Sequence, residues 1–396
     1  MRDALARAAV TGVMSRGVRH GRIEVVEGGR SRGFGPADAD LRATVTVHDP
    51  AAWRGPLHGS VGLGEGYVDG LWESDDLVAL IRIAARELRD LDGVRGAIAK
   101  PRGALHRLRR LVPENTRGGS RDNISAHYDL GNDLFAAFLD ERMMYSCAYF
   151  PTAETSLEEA QVAKLDRICR QLRLGPDQHL LEIGSGWGGL AVHAAREHGC
   201  RVTTTTISRQ QHELARRRVH EAGLDERVTV LLEDYRDLDG RYDRLVSVEM
   251  IEAVGWQYFD EFFRRCDELL EPDGAMLLQA ITIADGIYEA EKGTRSFANT
   301  HVFPGGCLPS QQAIADSVAR VTSMRQVWLD DITAHYPPTL AAWRQRFFEA
   351  WERLRPRGYD ERFRRLWDFY LSSSEAGFRE RRIGDVQALF AKPGWS

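Results

Sequence analysis

The chain has 396 residues with 43% apolar content, enough for more than one typical domain and ordinary for a globular protein. It holds no run of about 18 or more apolar residues, so no bilayer-crossing helix is expected, and its first thirty residues lack an apolar stretch of signal-peptide type. The net charge of −5 is unevenly spread. Five cysteines, Cys147, Cys169, Cys200, Cys266 and Cys307, are odd in number without Cys-x-x-Cys spacing, which suggests neither a zinc site nor a disulfide framework and fits a reducing cytoplasm.

Residues 1 to about 95 read as a small α+β module. An amphipathic opening (Leu5, Ala8, Ala9, Val13) precedes strands at 21–26 and 41–48, glycine-rich turns from Gly59 to Trp72, and a helix from Asp75 to about Leu88. No Gly-Lys-Ser/Thr follows those glycines, so turns are favoured over a phosphate loop. Residues 96–121 form a basic linker, with seven Lys or Arg from Lys100 to Arg121 against the single acid Glu114. With Arg16, Arg19, Arg22, Arg30 and Arg32, this is either solvated surface charge or a surface drawn to anionic lipid, at roughly 1 kcal/mol per basic group. Nucleic acid is disfavoured, because no reader motif or aromatic interleaving accompanies the arginines.

A domain over 122–396 follows. After a helix at 157–172, strands at 180–184, 201–206, 228–233, 243–249 and 275–283 alternate with helices at 188–198, 209–222 and 257–270. That alternation predicts a doubly wound parallel sheet, with ligands at the carboxyl ends of its strands. The first strand runs into Leu180-Leu-Glu-Ile-Gly-Ser-Gly-Trp-Gly-Gly, where Gly184, Gly186 and Gly188 would let backbone pass close to a ligand. The alternative is a purely structural strand-to-helix turn. A dinucleotide site wants an acid about 20 residues on, yet that strand ends in threonines; the next one runs into Asp234-Tyr-Arg-Asp, whose carboxylate could accept from an adenine amino group. The pattern points to S-adenosylmethionine rather than NAD. An irregular insertion at 284–310 and two aromatic helices (Trp343, Phe347, Trp351; Phe363, Trp367, Tyr370) complete the chain, with about 284–345 as the expected acceptor-binding insertion.

Several segments together resemble the cyclopropane-fatty-acyl-phospholipid synthase family, which includes mycolic acid cyclopropane synthases and tuberculostearic-type fatty acid methyltransferases. They are His127-Tyr-Asp-Leu-Gly-Asn-Asp-Leu-Phe, Tyr145-Ser-Cys, Leu181-Glu-Ile-Gly-Ser-Gly-Trp-Gly-Gly, Thr206-Ile-Ser-Arg-Gln-Gln, Asp234-Tyr-Arg-Asp, Glu249-Met-Ile-Glu-Ala-Val-Gly and Phe303-Pro-Gly-Gly. The resemblance implies a Rossmann-like S-adenosylmethionine-dependent methyltransferase fold, with Tyr145, Ser146, Glu182, Gly184, Ser185, Gly186, Gly188, Thr206, Gln211, Asp234 and Tyr235 holding the donor. It implies a bound bicarbonate as base, held by Cys147, Glu252, Tyr336 and the backbone at Ile281, with Gln279 where many members carry His. Ser374 stands where some members have a cysteine, so a thiol mechanism there is not expected.

The implied acceptor is the double bond of an unsaturated acyl chain in a membrane phospholipid. Methyl transfer leaves a carbocation, and a proton then leaves the new methyl as a cyclopropane ring closes, shielded from water. The alternative outcome is a methylene branch of tuberculostearic type. Also implied are a cytoplasmic location on the inner membrane face, with residues 1–95 docking the bilayer and supporting a homodimer. A soluble small-molecule methyltransferase and an inactive lipid-binding protein are the readings from other classes.

Overall fold

The computed structural model describes residues 1–99, without the side chains of 91–99, and 131–396. The described residues divide into two compact units: 1–99 with Glu289–Val302 and Leu340–Ile383, and 131–288 with Phe303–Thr339 and Gly384–Ser396. Segments 289–302 and 340–383, expected in the catalytic domain, thus group with the N-terminal module.

The first unit carries a four-stranded sheet, β1 (Arg22–Glu27), β2 (Arg30–Phe34), β3 (Arg42–Val47) and β4 (Trp72–Ser74), in the order β2-β1-β3-β4. The glycine-rich stretch expected to turn is instead the helix Gly59–Val68. Its glycines serve packing: a Cβ on Gly62 would lie 2.6 Å from the Gly55 carbonyl oxygen, and one on Gly64 would lie 2.3 Å from the Phe297 ring. The helix Leu77–Ala99 runs past the expected linker start, and residues 100–121 of that linker lie outside the described residues, as does the His127–Leu130 part of the first motif. Trp343, Phe347 and Trp367 of the two C-terminal helices are buried in the core. No described helix is long and apolar enough to cross a membrane.

The second unit is organised on a seven-stranded sheet among the described residues: β5 (His179–Ile183), β6 (Arg201–Thr205), β7 (Val228–Leu231), β8 (Tyr242–Val248), β9 (Leu270–Ile283), β10 (Arg325–Asp331) and β11 (Ile383–Ala391). Their order is β10-β11-β9-β8-β5-β6-β7, with β5 to β9 parallel and β10 antiparallel to β11. Successive side chains point to opposite faces. Leu181, Leu245 and Leu278 therefore join Phe262, Phe263 and Cys266 of the helix Phe259–Leu269 on one side. Leu180, Val246 and Leu277 join Leu165 and Ile168 of the helix Leu157–Gln171, and Leu190 and Ala194 of the helix Gly189–Glu197, on the other. Both faces are covered, as near-continuous apolar strands require. Strands β10 and β11 were not foreseen, nor were the short helices Asp285–Glu291 and Phe297–His301 in the insertion.

Candidate active site

Strand β5 ends at Ile183, and the next five residues include Gly184, Gly186 and Gly188 at φ +98°, +48° and +85°. Only glycine adopts such backbone without strain. Cβ atoms on Gly184 and Gly188 would also press on Met250 and Ala215 at 3.2 and 3.1 Å, whereas one on Gly186 would meet nothing within 4 Å. The turn therefore has open space at Gly186, at the N-terminus of the helix Gly189–Glu197, where backbone N–H groups favour an anionic group such as the donor's carboxylate. The turn fits a methionine end. Ser185 is buried and its N–H bonds the Thr205 carbonyl, tying the turn to β6.

Several of the other residues expected to hold the donor have partners of their own. Thr206 donates to Gln211 (2.8 Å), and both are buried at the start of the helix Arg209–Glu221. Glu182 is buried on β5, accepts from Thr204 (2.5 Å), and is pushed up to about 8 by burial. Asp234 receives the Arg236 backbone N–H and both arms of its guanidinium, at 2.6 to 3.0 Å. An adenine amino group would share that carboxylate with Arg236. Tyr235 packs edge-on against Phe262, and Tyr145 lies against Phe135, Phe138 and Phe303. Ser146 is buried and accepts from the Lys164 ammonium at 2.6 Å.

The expected reaction centre comes together at the ends of β8 and β9, around a residue that sequence reading left out of the site. Glu249 follows β8 in left-handed backbone (φ +49°), which costs a non-glycine residue about 1–2 kcal/mol. Strain of that kind concentrates at functional sites. Its Oε1 accepts from the Cys147 backbone N–H (2.8 Å) and the Gln279 amide (2.9 Å), and its Oε2 from the Tyr336 hydroxyl (2.5 Å). Gln279 also donates to Asp385 Oδ2 at 3.1 Å, and is fixed by Gln387 at 3.0 Å. Three residues on, Glu252 accepts the Ile281 N–H on Oε1 (2.5 Å), while its buried Oε2 has no partner among the described residues. Burial, then repulsion from Glu249, pushes Glu252 up to about 8. Glu249 and Asp385 are raised too, first by burial. Lys164 is fully buried, and its attraction lowers Glu249.

Cys147, Glu252, Gln279, Ile281 and Tyr336 therefore converge, but not on a bicarbonate. The expected donors to it, Cys147 N–H, Gln279 and Tyr336, are given to Glu249, and Ile281 N–H is given to Glu252. A bicarbonate here would have to displace one part-buried carboxylate and sit beside the other, so these residues do not fit that ion. The Cys147 thiol is raised well above its usual range by burial and points to carbonyl oxygens, not to a reacting group. Sequence reading also missed Lys164 and Asp385. Each carried one faint signal: a charge on the buried face of an amphipathic helix, and a charge inside an apolar strand. Elsewhere in this unit, Cys169, His193 and His198 gather within 4.8 Å, which cysteine spacing does not foretell; Cys169 sits in the apolar core and His193 bonds Asp166.

A family model described as mycolic acid cyclopropane synthetase matches residues 116–388. The chain is 40% identical over 381 residues to the tuberculostearic acid methyltransferase UfaA1 of Mycobacterium tuberculosis, covering 92% of this chain and 87% of that protein. It is 39% identical over 361 residues to the cyclopropane-fatty-acyl-phospholipid synthase of Escherichia coli K12, covering 90% and 89%. Among solved structures, the cyclopropane synthase MmaA2 from Mycobacterium tuberculosis matches with a TM-score of 0.65 and 30% identity, over 71% of this chain and 99% of that one. The mycolic acid cyclopropane synthase CmaA1, complexed with SAH and CTAB, matches with a TM-score of 0.65 and 31% identity, over 69% and 98%. The chain therefore belongs to the mycolic acid cyclopropane synthetase family, and is an S-adenosylmethionine-dependent C-methyltransferase of cyclopropane synthase type on the Rossmann-like fold.

Proposed function

We propose that this enzyme transfers the donor methyl to the double bond of an unsaturated acyl chain in a membrane phospholipid, and that Glu252 then takes a proton from the added carbon. One observation supports the second half: Glu252 Oε2 is buried and has no partner among the described residues, while the nearby donors Tyr336 and Gln279 hold Glu249 instead. An alkene has no proton to lose before it attacks. Its π electrons form a bond to the methyl carbon as the sulfonium bond breaks, leaving a carbocation on the chain. A C–H bond of the new methyl then breaks, its electron pair closes the three-membered ring, and the proton passes to Glu252. A general base works best with a pKa near the working pH, which the value near 8 supplies. S-adenosylmethionine supplies the electrophilic methyl. Tyr336, Gln279 and the Cys147 N–H position Glu249, and its charge keeps Glu252 basic.

A second outcome is favoured by the 40% relative named a tuberculostearic acid methyltransferase. There a neighbouring hydride moves to the cation before the methyl loses its proton, giving an exocyclic methylene. Both routes use the same base and add the same mass. Docking at the inner, anionic face of the membrane through the basic N-terminal residues, and a homodimer, belong to the same proposal. The donor seat proposed is Tyr145, Ser146, Glu182, the 184–188 turn, Thr206, Gln211, Asp234 and Tyr235.

The test is turnover on vesicles of defined phospholipid, read by proton NMR of the recovered lipid. High-field cyclopropyl signals establish the ring, and olefinic methylene signals the branch. S-adenosylhomocysteine release that is equal with saturated vesicles, or without vesicles, refutes the lipid reading.

A further inference from the structure

Asp385 stands on β11, beside the seat of Glu249, and nothing above gives it a part in the chemistry. It is fully buried, and one amide nitrogen ties it to Glu249: Gln279 Nε2 donates to Glu249 Oε1 at 2.9 Å and to Asp385 Oδ2 at 3.1 Å. Oδ1 has no donor among the described residues. Two carboxylates that share one amide donor, one of them fully buried, repel at short range away from water. The arrangement becomes favourable when one of the two carries a proton.

The charges facing the cluster agree. Among the described residues, Glu249 and Asp385 face the ammonium of Lys164, which also serves Asp140 and Glu182, while Glu252 faces Glu249; Tyr336 and Cys147 are neutral donors. One cation balances one carboxylate. Glu249 is the one that accepts three donors, so it is the natural anion, and Glu252 must remain free to titrate. That leaves Asp385 as the carrier of the remaining proton.

We propose that Asp385 is a positioning residue that stays a neutral carboxylic acid through the reaction, donating its proton to Glu249 and, with Gln279, holding that carboxylate where it tunes Glu252. The inference rests on the proposed role of Glu252. Asparagine has the same shape, carries no charge and can donate to Glu249, whereas alanine can do none of this. Asp385→Ala should lower turnover about 10- to 150-fold, the loss of one hydrogen bond to a buried charge. Asp385→Asn should recover most of it, to within about threefold of wild type. In both, the pH midpoint of turnover should stay where the wild type has it.

The test is the pH profile of turnover for wild type, Asp385→Asn and Asp385→Ala, with circular dichroism to establish folding. It is joined by wild-type-minus-Asp385→Asn infrared difference spectra at pH about 9.5, well above the Glu252 midpoint. A carboxylic acid C=O band in that difference supports the neutral acid, even if Asp385→Ala does not fold. Absence of the band overturns the proposal. So does a midpoint lowered by about one unit or more in Asp385→Asn, as expected when a neighbouring negative charge is removed. Equal turnover in all three forms would likewise overturn it. Glu252→Gln at wild-type turnover would sink the role of Glu252 and leave the infrared band in place, so the two failures are distinguishable.

Discussion

Replacing Glu252 with Gln separates chemistry from folding, because the two should move in opposite directions. Gln keeps the length of the side chain and an oxygen for the Ile281 N–H, so the turn after β8 should be preserved. It cannot accept a proton. Loss of a general base costs about 10²- to 10⁴-fold in rate, or roughly 3–5 kcal/mol at 1.36 kcal/mol per factor of ten. Donor affinity should be unchanged, since Glu252 is assigned to the proton and not to S-adenosylmethionine. For stability, the folded carboxyl is raised to about 8 from an ordinary 4.5. Between those values the folded chain binds more protons than the unfolded one, so stability falls as pH rises. The loss is complete above pH about 8, and 3.5 units amount to at most roughly 5 kcal/mol. Gln removes it. The variant should thus be less active at every pH, equal to wild type in stability near pH 4, and more stable by a few kcal/mol near pH 9. Turnover assays, calorimetric titration of S-adenosylmethionine and urea melts at the two pH values read all three effects. Wild-type turnover with intact donor binding would refute the proton-acceptor assignment, and parallel stability curves would refute its burial in a raised state.

Three further expectations come from the same geometry. Tyr336→Phe removes the 2.5 Å donor to Glu249 and should cost about 1.5–3 kcal/mol, or 10- to 150-fold in turnover, with donor affinity unchanged by calorimetry. Lys164→Met removes the buried cation that attracts Glu249 and Asp140, and should destabilise by about 3–5 kcal/mol in denaturant titrations. Gly188→Ala combines φ +85° with a Cβ 3.1 Å from Ala215; it should weaken S-adenosylmethionine binding measurably and lower the melting temperature.

How much of this was legible from sequence follows from which forces act locally. Strands β5 to β9 announce themselves as apolar runs separated by helical periodicity, and the glycine turn follows from the need for positive φ. Strand β10, Arg325–Asp331, is mostly exposed and polar, so no alternation marks it. Strand β11 is interrupted by Asp385 and Gln387, which read as surface residues until the fold buries them. The helix Gly59–Val68 was read as turns because glycine disfavours helices by about 1 kcal/mol each, a cost offset by close packing against Gly55 and Phe297. The motif containing Glu249 was visible, and Glu252 was singled out within it. That three donors converge on Glu249 was not visible, because residues 147, 279 and 336 meet only through the sheet's topology. Nor can a sequence say that a seat matching bicarbonate is taken by a side chain of the same protein.

The proposed chemistry turns on one carbon leaving a sulfonium, joining an alkene and losing one hydrogen. S-adenosylmethionine with a fully deuterated methyl group, turned over on vesicles of unsaturated phospholipid, follows that carbon directly. Mass spectrometry of the acyl chains should find two deuterons on each added carbon, with one molecule of S-adenosylhomocysteine released per carbon. Three retained deuterons, or label absent from the acyl chains while S-adenosylhomocysteine accumulates, would contradict it.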